Sequence, residues 1–185
     1  MAKTLDVLKQ RRSCRAFTNR PVEKEKMAAI LEAGTYAPTG MGKQSPIIIV
    51  IKDPKVKETL RRMNAEIMGA KIDPFYGAPE LVVVLANKER PTYIYDGSLV
   101  MGNMMNAAAD LGLGSCWIHR AKEEFETEYG KSLLKRLGIE GDYEGIGHLV
   151  IGYPAKEPAQ PVKRKKTIFM NYNYALSNLA CSLIK

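Results

Sequence analysis

Three short aliphatic runs limit this fold more than any other feature. Ile47–Lys52, Leu81–Ala86 and Gly145–Tyr153 are rich in Ile, Val and Leu. Each is too short to be an ordinary helix and reads as a buried strand. Between them the apolar period changes to three and four residues. Residues 3–12 form a short helix with Leu5, Leu8 and Val7 inward. Lys24 to Gly34 forms a second, with Met27, Ile30 and Leu31 on its apolar face and Gly34 at its end. Pro54 opens a third, carrying Val56, Leu60 and Met63, whereas Asn64–Asp73 has no clear pattern. Asp96 to Leu111 is the most apolar helix, and Lys122 to Leu137 is an amphipathic helix or helix pair stopped by Gly138. Gly112–Arg120 is a glycine turn entering a short strand. Helices alternating with three or four strands give a layered α/β or α+β domain, and 185 residues suffice for one such domain.

The Asp96–Leu111 helix is apolar nearly all round, so burial on most sides is expected. Gly102 and Ala107–Ala109 allow another helix to approach closely. It is either the central helix of a monomer or part of a dimer interface. Lys156–Pro161 is a Pro-rich connector. A basic cluster, Lys163–Lys166, precedes an apolar stretch over 168–184, expected to pack on the body or on a neighbouring subunit. Residues 1–160 and the 161–185 segment belong to one domain.

Lys and Arg outnumber Asp and Glu by 28 to 20, a net +8. That charge suits nucleic acid, an anionic cofactor or a generally basic surface. No nucleic-acid module accompanies it, and the aromatics are not interleaved with the basic residues. Cys14, Cys116 and Cys181 are far apart and lack metal-ligand spacing, so free thiols in a reducing compartment are expected. No apolar signal core or bilayer-spanning run appears, and the expectation is a cytoplasmic protein with no membrane partner. No Gly-x-Ser-x-Gly elbow, Walker loop, HExxH or paired-Cys site is present. His148 lies inside a strand pattern and reads as structural.

Two loops remain. Arg11-Arg12-Ser13-Cys14-Arg15 packs three arginines and a hydroxyl into five residues where the first helix runs out. It is half of a phosphate clamp, or a solvated basic helix end favoured by the helix dipole. Tyr36–Pro46 is too rich in Gly and Pro for regular structure and offers many donors. A phosphate-bearing cofactor would unify these loops, the Gly112–Trp117 turn and the C-terminal basic cluster. A chain that borrows its chemistry needs no triad of its own.

These segments resemble, in order and nearly throughout the chain, the FMN-dependent nitroreductase family. Leu8–Phe17 is similar to its RRSxRxF opening, and Ala37–Gln44 to its APS/TxxNxQPW loop. Gly77–Val84 resembles its GAP-plus-strand segment, and Asp110–Ile118 its GLGSCWI turn. Ile151–Pro154 with Lys163–Lys165 resembles its closing element. The resemblance implies an α+β three-layer α/β/α sandwich around a mixed, mainly antiparallel sheet, dimeric, with FMN at the subunit interface. It implies that Arg11, Arg12 and Ser13, with Lys163, Arg164 and Lys165, grip the phosphate. Arg15 would reach the pyrimidine edge of the ring, stabilising negative charge there. Pro38, Thr39, Gly40 and Gln44 would line ribityl or ring, and Asn64 would touch the ring. The segment Trp117, Ile118, His119 and Arg120 would run past the flavin, with a backbone N–H from His119 or Arg120 facing N5.

The chain departs from the family pattern at Gly42, where Asn is usual, and at Ser45-Pro46, where Pro-Trp is usual. His119-Arg120 replace a usual small residue; they point into the site and favour anionic substrates, or face solvent. No long insertion separates Lys88 from Asp96, which implies an open pocket. The implied activity is an oxidoreductase: hydride passes from NADH or NADPH to FMN, then to a nitroaromatic, quinone or activated alkene in ping-pong fashion. A non-catalytic flavin-binding or regulatory protein is the alternative, followed by a basic nucleic-acid-binding domain.

Overall fold

The computed structural model describes residues 4–165. The elements run α1 (Thr4–Gln10), α2 (Lys24–Thr35), a 3₁₀ turn (Gly40–Gly42), β1 (Pro46–Ile51), α3 (Pro54–Met68), β2 (Glu80–Asn87), α4 (Tyr93–Asp110), β3 (Gly114–Ile118), α5 (Ala121–Glu126), α6 (Glu128–Arg136) and β4 (Tyr143–Gly152). The strands form one sheet in the order β1-β2-β4-β3, and every pairing is antiparallel. The expected mixed sheet is therefore corrected: among the described residues the sole parallel pairing is an isolated bridge between Ser13 and Ser115.

Strand alternation divides the core in two. Leu81, Val83 and Leu85 face one side with Val150, Leu60, Phe125 and Leu133. Val82 and Val84 face the other with Leu149, Ile30, Val100, Met101 and Met104. Helices thus pack on both faces of a four-stranded sheet. The central strands are buried on both sides, which explains the continuous aliphatic reading of Leu81–Ala86. β1 is an edge strand, and five of its six residues are only half-buried; the expected full burial fails because β1 has a neighbour on one side alone.

Two helix expectations are also corrected, and one open stretch gains an assignment. In α1, Val7 is the inward residue at 8% exposure, while Leu5 and Leu8 stand at 65% and 50%. A helix this short presents only one residue of the set to the body. α3 continues through the patternless Asn64 region to Met68, because Asp53 caps its start and Gly69 accepts a left-handed turn at φ 68°. α4 is not buried all round: Val100, Met101, Met104 and Ala108 face the core, but Ile94, Tyr95 and Leu99 are exposed.

Glycines on β4 bring the next segment close. A β-carbon on Gly147 would lie 2.2 Å from Trp117 Nε1, and one on Gly145 would lie 2.3 Å from the Ala121 backbone. The indole and the start of α5 therefore lie flat on β4. This seats the Trp117–Ala121 connection against the sheet.

Candidate functional site

The basic stretch leaves α1 and runs beside the start of β3. Cys14 N–H donates to Ser115 O at 2.9 Å, Thr18 N–H to Tyr153 O and Ala155 N–H to Ala16 O. These bonds stitch residues 13–18 between β3 and the chain leaving β4. They open a cleft of about 570 Å³ lined by Arg11, Arg12, Ser13 and Arg15, by Gly112–Ser115, and by Lys156–Ala159.

The two leading arginines differ. Arg12 folds back onto α1, donating to the carbonyls of Lys9 and Arg11. It satisfies carbonyls that a helix end leaves open. Arg11 lines the cleft with a buried Nη1 that has no partner among the described residues. A buried, unpaired guanidinium nitrogen is costly, and an anionic oxygen is its natural complement. The cleft therefore fits a phosphate-bearing group. Burial raises the Cys116 thiol above its ordinary range, opposed in part by Arg15 and Ser13, so this cysteine packs in the core behind the cleft.

The Pro38–Gln44 loop lies elsewhere on the chain. Thr39 Oγ1 accepts from Gln44 N–H at 3.0 Å, and Gly40 N–H donates to Asp96 Oδ1 at 3.0 Å. Asp96 is buried near the start of α4 and also accepts from Thr92. A β-carbon on Gly40 would come within 2.3 Å of Thr92 Oγ1, so only glycine allows this docking. Gln44 is exposed and holds φ 50°, a left-handed conformation rare for its type. Thr39 and Gln44 line a separate hollow with Gly34, Ala37, Ile48 and Val100. None of its lining residues belongs to the Arg11 cleft. One chain thus carries the predicted cofactor residues in two places.

The third group follows β3. Ile118 is buried, Trp117 and Arg120 are half-buried and His119 is exposed. Asn64 Nδ2 donates to His119 O at 2.8 Å, and Arg120 Nε donates to Asn64 Oδ1 at 2.9 Å. The same Asn64 amide donates to Glu124 Oε1, whose Oε2 meets His148 Nε2 at 2.9 Å. Asn64, Glu124 and His148 have no exposed surface. Asn64 therefore holds the His119–Arg120 connection from beneath, with all its polar atoms engaged by protein groups. A trans peptide directs its C=O and N–H oppositely. With His119 O aimed at Asn64, the Arg120 N–H points away from the core, and it has no backbone partner among the described residues. Arg120 holds φ 77° in this arrangement.

Lys163, Arg164 and Lys165 are exposed at the end of the described chain and do not line the cleft. On that side the basic residue in the wall is Lys156. The expected apolar tail, 168–184, lies outside the described residues. Sequence reasoning missed Glu124, Asp96 and Lys156. For Glu124 one signal existed: Ala121, Glu124 and Phe125 share an i, i+3, i+4 stripe, and all three are buried. For Asp96 and Lys156 the partners are too distant in sequence to leave a trace.

Among the described residues no cluster of His, Cys, Asp and Glu could hold a metal ion, and no helix is long and apolar enough to cross a membrane. Comparison with known proteins supplies the family. The profile of the nitroreductase family matches residues 8–153. A protein of Archaeoglobus fulgidus with the provisional name NADH dehydrogenase/NAD(P)H nitroreductase is 30% identical over 162 residues, covering 85% of this chain and 88% of the relative. The crystal structure of a nitroreductase with bound FMN from Bacteroides fragilis superposes with a TM-score of 0.80 at 26% identity, over 92% of this chain and 98% of that one. Another with bound FMN, from Desulfitobacterium hafniense, gives 0.80 at 25% identity, over 92% and 99%. The profile match spans the Arg11–Arg15 stretch, the Gly40 loop and the Trp117–Arg120 connection alike, and the chain belongs to the nitroreductase family.

Proposed function

We propose that this chain is an FMN-dependent oxidoreductase working as a homodimer, taking hydride from NADH or NADPH and reducing a nitroaromatic, quinone or activated alkene. The observation that carries the reading is the buried, unpaired Arg11 Nη1 in the wall of a basic cleft, in a chain whose structural relatives hold FMN. FMN, when bound, supplies the two-electron chemistry, accepting hydride from the donor and passing it to the oxidant.

The protein binds and orients. Arg11 and Ser13 hold phosphate oxygens, and Arg15 lends positive charge to the pyrimidine edge of the ring. The outward Arg120 N–H offers a fixed donor at the other end of β3. Ser115 and Arg120 are five residues apart, roughly 16 Å of extended chain at about 3.3 Å per residue. A group touching both must be elongated, as a phosphate–ribityl–ring molecule is. Protons come from water. Donor and oxidant share one opening, hence ping-pong kinetics.

Two features support a dimer. Thr39, Gly40 and Gln44 are separated from the Arg11 cleft within one chain, so a second copy is needed to bring the two half-sites together. In addition, Leu5, Leu8, Ile94, Tyr95 and Leu99 leave α1 and α4 with bare apolar surface. The test is direct. The purified protein is expected to be yellow, with one FMN per chain and two chains per particle by sedimentation. Anaerobic NADH or NADPH should bleach it. A colourless protein that takes up no added FMN refutes the cofactor, and a flavin bleached by neither donor refutes the enzyme in favour of a flavin-binding regulator.

A further inference from the structure

The exposed end of the buried hydrogen-bonded chain is a guanidinium. His148 meets Glu124, Glu124 accepts from Asn64, and Asn64 fixes both His119 O and Arg120 Nε. Buried polar groups are costly unless each is satisfied, yet this set lies entirely inside the core and ends on a half-buried arginine. Anchoring Nε fixes the plane of the fork and leaves the Nη1 and Nη2 edge for another partner. Among the described residues no carboxylate or carbonyl accepts from that edge, whereas Arg20, Arg61 and Arg62 each pair with a carboxylate. The neighbouring cation, Lys122, is occupied by Glu144 at 3.0 Å.

We propose that Arg120 is a specificity-determining residue that receives an anionic oxygen group, carboxylate or phosphate, of the molecule exchanging electrons at this site. Asn64, Glu124 and His148 are its positioning residues. The inference rests on the flavin oxidoreductase reading and adds the class of molecule preferred there. The free edge offers two parallel N–H donors, the geometry that grips a carboxylate or phosphate in bidentate fashion. Because Asn64 already immobilises the side chain, little rotamer entropy remains to be lost on binding. The anion could come from the phosphates of the nicotinamide donor or from a carboxylated oxidant, and separate arms of one experiment distinguish these.

The experiment uses the FMN-loaded protein and its Arg120→Gln and Asn64→Leu variants. Steady-state rates are measured with 4-nitrobenzoate and with 4-nitrobenzamide, which share a shape but differ in charge. The KM for NADH is measured alongside, and benzoate binding is titrated through the flavin absorbance. If the oxidant supplies the anion, Arg120→Gln lowers the nitrobenzoate-to-nitrobenzamide ratio of kcat/KM ten- to hundredfold, the worth of a charge-assisted bond, and benzoate affinity falls with it. If the donor supplies it, the KM for NADH rises by that factor instead. Asn64→Leu keeps the charge but releases it, so the same parameter moves in the same direction by a smaller factor. Should Asn64→Leu not fold, Asn64→Ser, which withdraws the amide oxygen from Arg120 Nε but keeps a polar group, replaces it. Ratio, donor KM and benzoate affinity all within twofold of wild type in Arg120→Gln overturn the proposal. An Asn64→Leu effect equal on both oxidants, with the KM for NADH unchanged, overturns the positioning role. A failure of the flavin reading shows earlier and separately, as absence of bound FMN or of bleaching.

Discussion

Replacing Arg11 by methionine is expected to act with opposite sign on the empty and the loaded protein. Arg11 lines the cleft with Nη1 buried and unpaired. A buried donor without a partner costs about 1–3 kcal/mol, and partial exposure of the rest of the side chain places Arg11 at the low end. Methionine keeps most of the apolar stem and removes the charge. Arg11→Met should therefore stabilise the ligand-free protein by about 1 kcal/mol, raising Tm by about 2–4 °C for a domain of this size. The same change removes a charge-assisted bond to phosphate, worth about 1.5–3 kcal/mol, so FMN affinity should fall roughly 10- to 160-fold. Arg12→Met is the control. Arg12 satisfies the carbonyls of Lys9 and Arg11, so its loss should lower the Tm of the empty protein, by about 0.3–1 kcal/mol of helix-end stabilisation, with a smaller effect on FMN. Calorimetry of the flavin-free proteins and fluorescence titration with FMN read both quantities. An Arg11→Met protein that melts lower and binds FMN unchanged would show that Arg11 holds the helix end and that the clamp is misassigned.

Other perturbations are expected to read single contacts. Gly130→Ala places a β-carbon 2.4 Å from the Glu124 carbonyl oxygen and 2.5 Å from Phe125 Cα; backbone cannot swing aside, so overpacking of about 1–3 kcal/mol should lower Tm by several degrees, and an unchanged Tm refutes the close packing of α5 on α6. Glu23 is held down to about 2, first by the hydrogen bond from Tyr153. Its contribution to stability is present above its ordinary value of 4.5 and lost as pH falls towards 2. Tyr153→Phe should therefore flatten the acid loss of stability between those values, and parallel acid-unfolding curves would count against the clasp. Leu99→Asp places a charge on the bare face of α4, where Leu99 is 45% exposed. If the protein is the proposed dimer, sedimentation should shift from dimer to monomer with helix content unchanged, and a dimer that persists removes this face from the interface.

The layered α+β architecture was legible because its signals are local and periodic. The aliphatic runs became β1, β2 and β4, and the helices fell where the period lengthened. The glycine turn before Trp117 led into β3 as expected. What stayed hidden depended on partners distant in the chain. Nothing in Leu5-Asp6-Val7-Leu8 tells which apolar residue meets the body, because that depends on where α1 docks. Arg11 and Arg12 are adjacent and chemically identical in sequence, yet Arg12 turns back onto the helix end while Arg11 keeps a buried, unpartnered nitrogen in the cleft wall. His148 reads as structural, but its partner Glu124 stands in a run of charges, Lys122–Glu126, that suggests a solvated face. Only the burial of Ala121 and Phe125 on either side reveals that this carboxylate turns inward.

On the proposed dimeric flavin site, the division into two half-sites also accounts for how the two loops are fastened. The Gly40 loop contains one short 3₁₀ turn, Gly40–Gly42. It is pinned through Gly40 N–H to Asp96, and Asp96 lies in the first turn of α4, the helix that carries the bare Ile94, Tyr95 and Leu99 face. The His119–Arg120 connection is pinned by Asn64 to α3 and through Glu124 and His148 to the sheet. Each loop is thus tied to a different rigid body, α4 for one and the sheet core for the other. The position of the Gly40 loop over a partner's cleft is then set by how two copies of α4 meet, whereas the Arg120 end is set within its own chain. Association and cofactor binding share one free energy in such an arrangement, because whatever separates the α4 faces also withdraws one wall of the site.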